Sequence, residues 1–221
     1  MRIGIELNGV LRDTVEKFKQ TYERYLIDEE FDEKLKTYEA LDDKEEYKEI
    51  LSKHELPFKY EILSEVDSMD LSKHFAFKDN DELYNFMYHE FPMQIFGHAP
   101  STEMTSFNDL NDLYIKLRDE HDLLIVSDEI GKSKPASLFF ISKFGCLLEK
   151  IKFYSNQTIK SMWDEVDILL TANPDLLLNH PQNKLVVKYE TNYNKQIPSP
   201  YVISSLKDFD NVLENILKEV A

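Results

Sequence analysis

Apolar and polar positions alternate along this chain in a way that separates short strands from amphipathic helices. Arg2-Ile3-Gly4-Ile5-Glu6-Leu7 has the pattern of a strand, and Asn8-Gly9 follows as a turn signal. The next segment has helical spacing. Thr14 is placed to cap it, and Val15, Phe18, Tyr22, Tyr25 and Leu26 share one face. From about residue 28 to about residue 105 the chain is rich in charge, Tyr and Phe and poor in β-branched residues. Asp42 to Glu46 is its densest charged run, and 81–88 has helical character. Pro92, Gly97 and Pro100 mark an irregular end to this zone.

Beyond residue 105, strands and helices alternate. Ser106 and Asp109 have capping-box spacing ahead of a helix carrying Leu110, Leu113, Tyr114 and Leu117 on one face. Strands are expected at Leu123–Val126, ending at Ser127, then at Ile151–Tyr154, Val166–Leu170 and Leu185–Val187, the last of the set. Pro135 opens a helix expected to turn Phe139, Phe140 and Phe144 inward. Ser205 and Asp208 open a final helix whose stripe is Leu206, Phe209, Val212, Leu213, Ile216 and Leu217. Short apolar strands separated by helices predict an α/β fold, with a parallel sheet covered on both faces. The division follows: a core of residues 1–14 and 106–221, with a mainly helical insertion, a cap, over 15–105.

Composition narrows the function classes. The chain has 221 residues, 42% of them hydrophobic and 12% aromatic, enough to bury a core. Its formal net charge of −16 opposes phosphate backbones and anionic lipid, so neither nucleic acid nor membrane is an expected partner. No run approaches the roughly 20 apolar residues of a bilayer span, and the N-terminus lacks the pattern of a signal peptide. The expected setting is soluble and cytoplasmic. Cys146 is the single cysteine, which excludes an intramolecular disulfide. Five glycines leave no GxGxxG and no GxxxxGK[ST]. The six His show no metal-ligand spacing, and Trp163, Cys146 and the aromatic run from Phe75 to Phe96 are most simply packing residues.

In parallel sheets, ligands sit at the carboxyl ends of the strands. Here that rule gathers Glu6, Asn8, Ser127 and the Thr171–Asn173 turn around one crevice. These strand ends resemble motifs of the haloacid-dehalogenase-like (HAD-like) phosphatases, in particular the 5′(3′)-deoxyribonucleotidase-like branch. Ile3 to Leu11 is similar to the first motif, a strand ending in Asp-x-Asp-Gly-Val. Leu124 to Ser127 is similar to the second, and Asp167 to Pro174 to the fourth. Asn192-Tyr193-Asn194 also resembles that branch. The resemblance implies a Rossmannoid three-layer sandwich with a cap inserted after the first motif. It also implies an Asp nucleophile, a second Asp as acid and base, a magnesium ion held by carboxylates, and a Lys from the third motif.

The chain keeps Ser127 but departs from that chemistry at the nucleophile, acid–base, metal and Lys positions. Glu6 replaces the nucleophile with a side chain one methylene longer, a displacement of about an ångström that can cost on the order of 100-fold. Asn8 replaces the acid and base, and an amide does neither job near pH 7. Thr171 and Ala172 stand where the metal anchors are expected. Gln157 matches the third-motif Lys, with Lys160 or Lys132 as substitutes. Ser127 and Lys160 are then a phosphate-binding remnant. The expectation is a catalytically degenerate protein that acts as a binding or assembly component, with a protein partner or second copy, no cofactor, and a virion location if its origin is viral. Two alternatives stand beside it. One is a magnesium-dependent phosphatase that uses Glu6 together with Asp164, Asp167 or Asp175. The other is an acidic mimic of nucleic acid that inhibits a basic partner.

Overall fold

The computed structural model describes residues 1–25 and 66–220. The Asp42–Glu46 run and Leu26 lie outside the described residues. Six parallel strands form one sheet in the order β3-β2-β1-β4-β5-β6. They are β1 (Arg2–Glu6), β2 (Asp122–Asp128), β3 (Ile151–Tyr154), β4 (Ile168–Thr171), β5 (Leu185–Tyr189) and β6 (Val202–Ile203). The helices are α1 (14–25), α2 (Asn80–Asn85), α3 (Ser106–Leu117), α4 (Ser133–Ser142), α5 (Ile159–Trp163), α6 (Pro174–Leu178) and α7 (Phe209–Val220). Apolar clusters cover both faces of the sheet, so the architecture is the α/β three-layer sandwich that the strand and helix alternation predicts.

The two-residue period of a strand decides which side chains meet which layer. Ile3 and Ile5 of β1, Leu123 and Ile125 of β2, and Ile168 and Leu170 of β4 face one side, where α3 supplies Leu110, Leu113 and Leu117 and α7 supplies Phe209, Leu213 and Ile216. Leu124, Val126, Leu169 and Val186 face the other, against Met162 and Trp163 of α5 and Leu176 and Leu177 of α6. Gly4 lies on this second face. A Cβ there would come within 2.7 Å of the Val166 side chain, so the missing side chain is what lets Val166 approach the sheet.

Sequence order runs outward from β1 in both directions, through β2 to β3 on one side and through β4 to β6 on the other. The crevice at the carboxyl end of β1 is therefore the topological switch point, where such sheets take their ligands. Above it sits a third apolar cluster. Phe18 and Tyr22 of α1 pack edge-on against Phe75 and Phe86, and Ile95, Phe96 and Ala136 of α4 complete it. Of the aromatic run, Phe75, Phe86 and Phe96 are buried, while Tyr84 is 44% exposed.

Several local expectations are revised. Asp13, not Thr14, caps α1: its carboxylate accepts the Glu16 N–H at 3.1 Å, while the Thr14 hydroxyl is drawn to Asn8. Ser106 does not close a box with Asp109; its hydroxyl instead accepts the Glu103 N–H. The Ser205 hydroxyl donates to Glu103, which also accepts from the Tyr189 hydroxyl and so ties β5 to the loop before α3. Phe139 is 40% exposed, and only Phe140 of that pair enters the core. A sixth strand follows the one expected to be last. It is two residues long, too short for a periodic signal to register.

Candidate functional site

Four strands deliver their last residues to the same place. Glu6, Asp128, Tyr154 and Thr171 end β1, β2, β3 and β4. They share the face of the sheet that carries Val126 and Leu169, because each stands an even number of residues from a neighbour on that face. Register sets Glu6 level with Val126, so Asp128 and Tyr154 stand two residues farther along their strands. Asp128 pairs with Tyr154, and Glu6 and Thr171 each follow the paired Ile5 and Leu170.

Glu6 is 1% exposed. Its Oε1 accepts the Tyr154 hydroxyl at 2.9 Å, and its Oε2 accepts the Thr171 hydroxyl. Thr171 Oγ1 in turn accepts the Asn173 N–H at 2.9 Å, which sets the turn into α6. Burial lifts the Glu6 carboxyl to about 7, against the Thr171 and Tyr154 hydrogen bonds, which favour the ionised form. Asp128 is lifted to about 6, first by burial and then by the charges of Glu129 and Asp175. Among the described residues no side chain bonds to or pairs with the Asp128 carboxylate.

A second polar cluster lies alongside. Arg12 and Glu129 are both fully buried and form an ion pair. The Arg12 guanidinium also donates to the Phe96 carbonyl at 2.8 Å and to the Ser137 hydroxyl at 2.6 Å, and it lies within 5.3 Å of the Phe96 and Phe140 ring centroids. Ser137 and Ser127 each donate to Glu129 Oε1, at 2.7 and 3.2 Å. Asn8 Oδ1 accepts from Arg12 and Thr14, and Asn8 Nδ2 reaches Ser127 Oγ at 3.4 Å. Burial lowers the Arg12 pKa and the Glu129 charge raises it again.

Between the sheet and the insertion lies a cavity of about 90 Å³. Glu6, Asn8 and Asp128 line its floor, and Phe18, Tyr88 and Phe96 are among the residues above. Gly9 is also in its lining. This glycine has φ +80°, and the Tyr193 hydroxyl occupies the space a Cβ would need, so it is fixed here by both conformation and contact.

The residues singled out from the sequence divide accordingly. Glu6, Asn8, Thr171 and Asn173 meet at the crevice as expected. Ser127 is wholly buried beneath it, with its hydroxyl engaged by Asn8 and Glu129. Ala172 is buried beside Gly9. Lys160, Gln157 and Lys132 are exposed and do not line the cavity. Asp167 is bound by Arg2 at the opposite end of the strands, which holds its carboxyl well below the usual range. Arg12 and Tyr154 were not anticipated. Alternation along β3 would have put Tyr154 on the Glu6 face of the sheet, whereas Arg12 follows two buried apolar residues and carries no periodic signal. A magnesium ion fits these residues poorly. Thr171 and Ala172 offer no carboxylate, both Glu6 oxygens are already hydrogen-bonded, and the described residues include no group of three His, Cys, Asp or Glu placed to hold a metal. No protein-family model and no curated protein matches the chain.

Proposed function

We propose that this chain is a HAD-like scaffold that has lost phosphoryl transfer and works by binding. One observation carries the reading: the Thr171 hydroxyl, at the position where the resemblance asks for a metal-binding carboxylate, is hydrogen-bonded to the carboxylate that would be the nucleophile. Glu6 is thus held by hydroxyl donors on both of its oxygens, in place of a metal ion or a phosphate. Asn8 supports the same reading. Its carbonyl oxygen is committed to Arg12 and Thr14, and its amide has no acidic proton to give a leaving group.

The insertion supplies the surface for a binding role. Met69, Tyr84 and Met93 are each at least 40% exposed there. In this reading they contact a protein partner or a second copy of the chain. The test is phosphate release from nucleoside monophosphates and an aryl phosphate, with and without magnesium. Turnover is expected to stay at the level of Glu6→Ala. Magnesium-dependent turnover that disappears in Glu6→Ala overturns the reading. A variant combining Glu6→Asp, Asn8→Asp, Thr171→Asp and Ala172→Asp shows whether the crevice kept its shape.

A further inference from the structure

The cavity above Glu6 has walls and a floor of opposite chemistry. Val15, Phe18, Leu71, Met87 and Phe96 make most of it apolar. Glu6 and Asp128 stand at the bottom, and among the described residues no Lys or Arg lines it. Arg12 lies close by, but its charge is committed to Glu129 and its side chain is fully buried. The half-buried Tyr88 lines the cavity with its ring stacked on Phe96 at 5.3 Å, and its hydroxyl makes no hydrogen bond within the described residues. Three polar groups therefore face this space with unmet capacity: the Asp128 carboxylate, the Tyr88 hydroxyl, and the lone pairs of Glu6 that Tyr154 and Thr171 leave over.

The geometry points to a binding site for a small organic ammonium ion, with its charged head on Asp128 and Glu6 and its alkyl part against Phe18, Phe96 and the Tyr88 ring. The inference rests on the reading above that the crevice no longer transfers phosphate, and gives that crevice a ligand class of its own. Anions are opposed by two carboxylates, with no cation among the described lining residues to offset them. A bare metal ion needs six or more oxygens, which an apolar wall does not supply. An ammonium satisfies carboxylates and aromatic faces together. The chain's net charge of −16 also attracts cations to its surface. Size sets the limit. A cavity of about 150 Å³ holds benzene, so about 90 Å³ accommodates roughly four heavy atoms.

The experiment titrates the full chain at pH 8 with n-propylammonium, n-propanol and propionate, following backbone amide shifts by NMR. Saturable shifts at Asp128 and Tyr88 are expected with the ammonium, with at least tenfold weaker binding of the alcohol and none of the carboxylate. Asp128→Asn is expected to weaken ammonium binding at least tenfold. Asp119→Asn removes the same charge from an exposed surface position and leaves binding unchanged. No binding of the ammonium, equal binding of the alcohol, or equal effects of the two substitutions each overturns the inference. Phosphate release is measured on the same preparations. Failure to bind the ammonium in a protein without turnover sinks this inference alone, whereas magnesium-dependent turnover sinks the reading beneath it.

Discussion

Two buried acids sit side by side at the head of the sheet, and their surroundings differ. Glu129 has Arg12, two serine hydroxyls and an enclosing wall of Phe96 and Phe140. Its charge is cancelled where it stands. Glu6 has neutral donors and, among the described residues, no counter-ion; the other charged group on its cavity floor is a carboxylate, Asp128. The first cluster is self-sufficient in charge, although Glu129 Oε2 accepts no hydrogen bond among the described residues, and it joins the segment after β1, the end of β2, α4 and the Phe96 carbonyl into one piece. The second is short of positive charge and opens onto a cavity. A buried charge with its partner built in serves the fold, whereas one whose partner is missing is where a ligand contributes most.

The largest effect tests the self-sufficient side. Arg12→Met leaves Glu129 as a buried charge without a counter-ion and strips two donors from Asn8. Breaking a buried pair from one side costs about 3–5 kcal/mol, and urea unfolding at pH 7 is expected to show a loss of that size. Arg12→Met with Glu129→Gln is expected to recover a large part of it, because the charge goes with its partner. A single variant that loses under about 1 kcal/mol would break the comparison.

The charge-deficient side is read through pH. An unfolded Glu6 titrates near 4.5 and the folded one at about 7, so between those values the folded state keeps a proton that the unfolded state has shed. Stability therefore falls as pH rises from about 4.5 to about 7, by roughly 3 kcal/mol in total. Asp128 adds a fall of the same sign between 3.8 and about 6. In Glu6→Gln the decline above pH 6 should vanish while the Asp128 portion remains, as read from urea midpoints between pH 5 and 8. An unchanged slope would mean that Glu6 is not the group that resists ionisation.

The sheet was legible in the sequence because its strands are near-continuous apolar runs bounded by turn residues, as Leu123–Val126 shows. The strand-end rule then placed Glu6, Asn8 and Thr171 together with no further information. What escaped was set by tertiary contacts. Arg12 stands between Val10-Leu11 and Asp13-Thr14, and only the three-dimensional approach of Glu129, 117 residues away, explains a buried guanidinium there. Serine hydroxyls at helix starts have local and distant partners to choose from, and Ser205 takes the distant Glu103. Lys160 stands close to the third-motif position taken by Gln157, yet it belongs to a five-residue helix that leaves it in solvent.

The smallest effect separates the two hydroxyls on Glu6 from a true counter-ion. Tyr154→Phe removes one donor and keeps the ring that packs with Trp163 and Val166. With Glu6 ionised at pH 8 the lost hydrogen bond is charge-assisted, and a cost of about 1.5–3 kcal/mol is expected. At pH 5, with Glu6 protonated, the same substitution costs about 0.5–1.5 kcal/mol. Linkage then requires the Glu6 titration to move above 7, since the bond favoured the ionised form, and carbon-detected NMR of the carboxyl reads that shift directly. Equal costs at both pH values with an unmoved titration would show that the Tyr154 hydroxyl packs beside Glu6 without stabilising its charge.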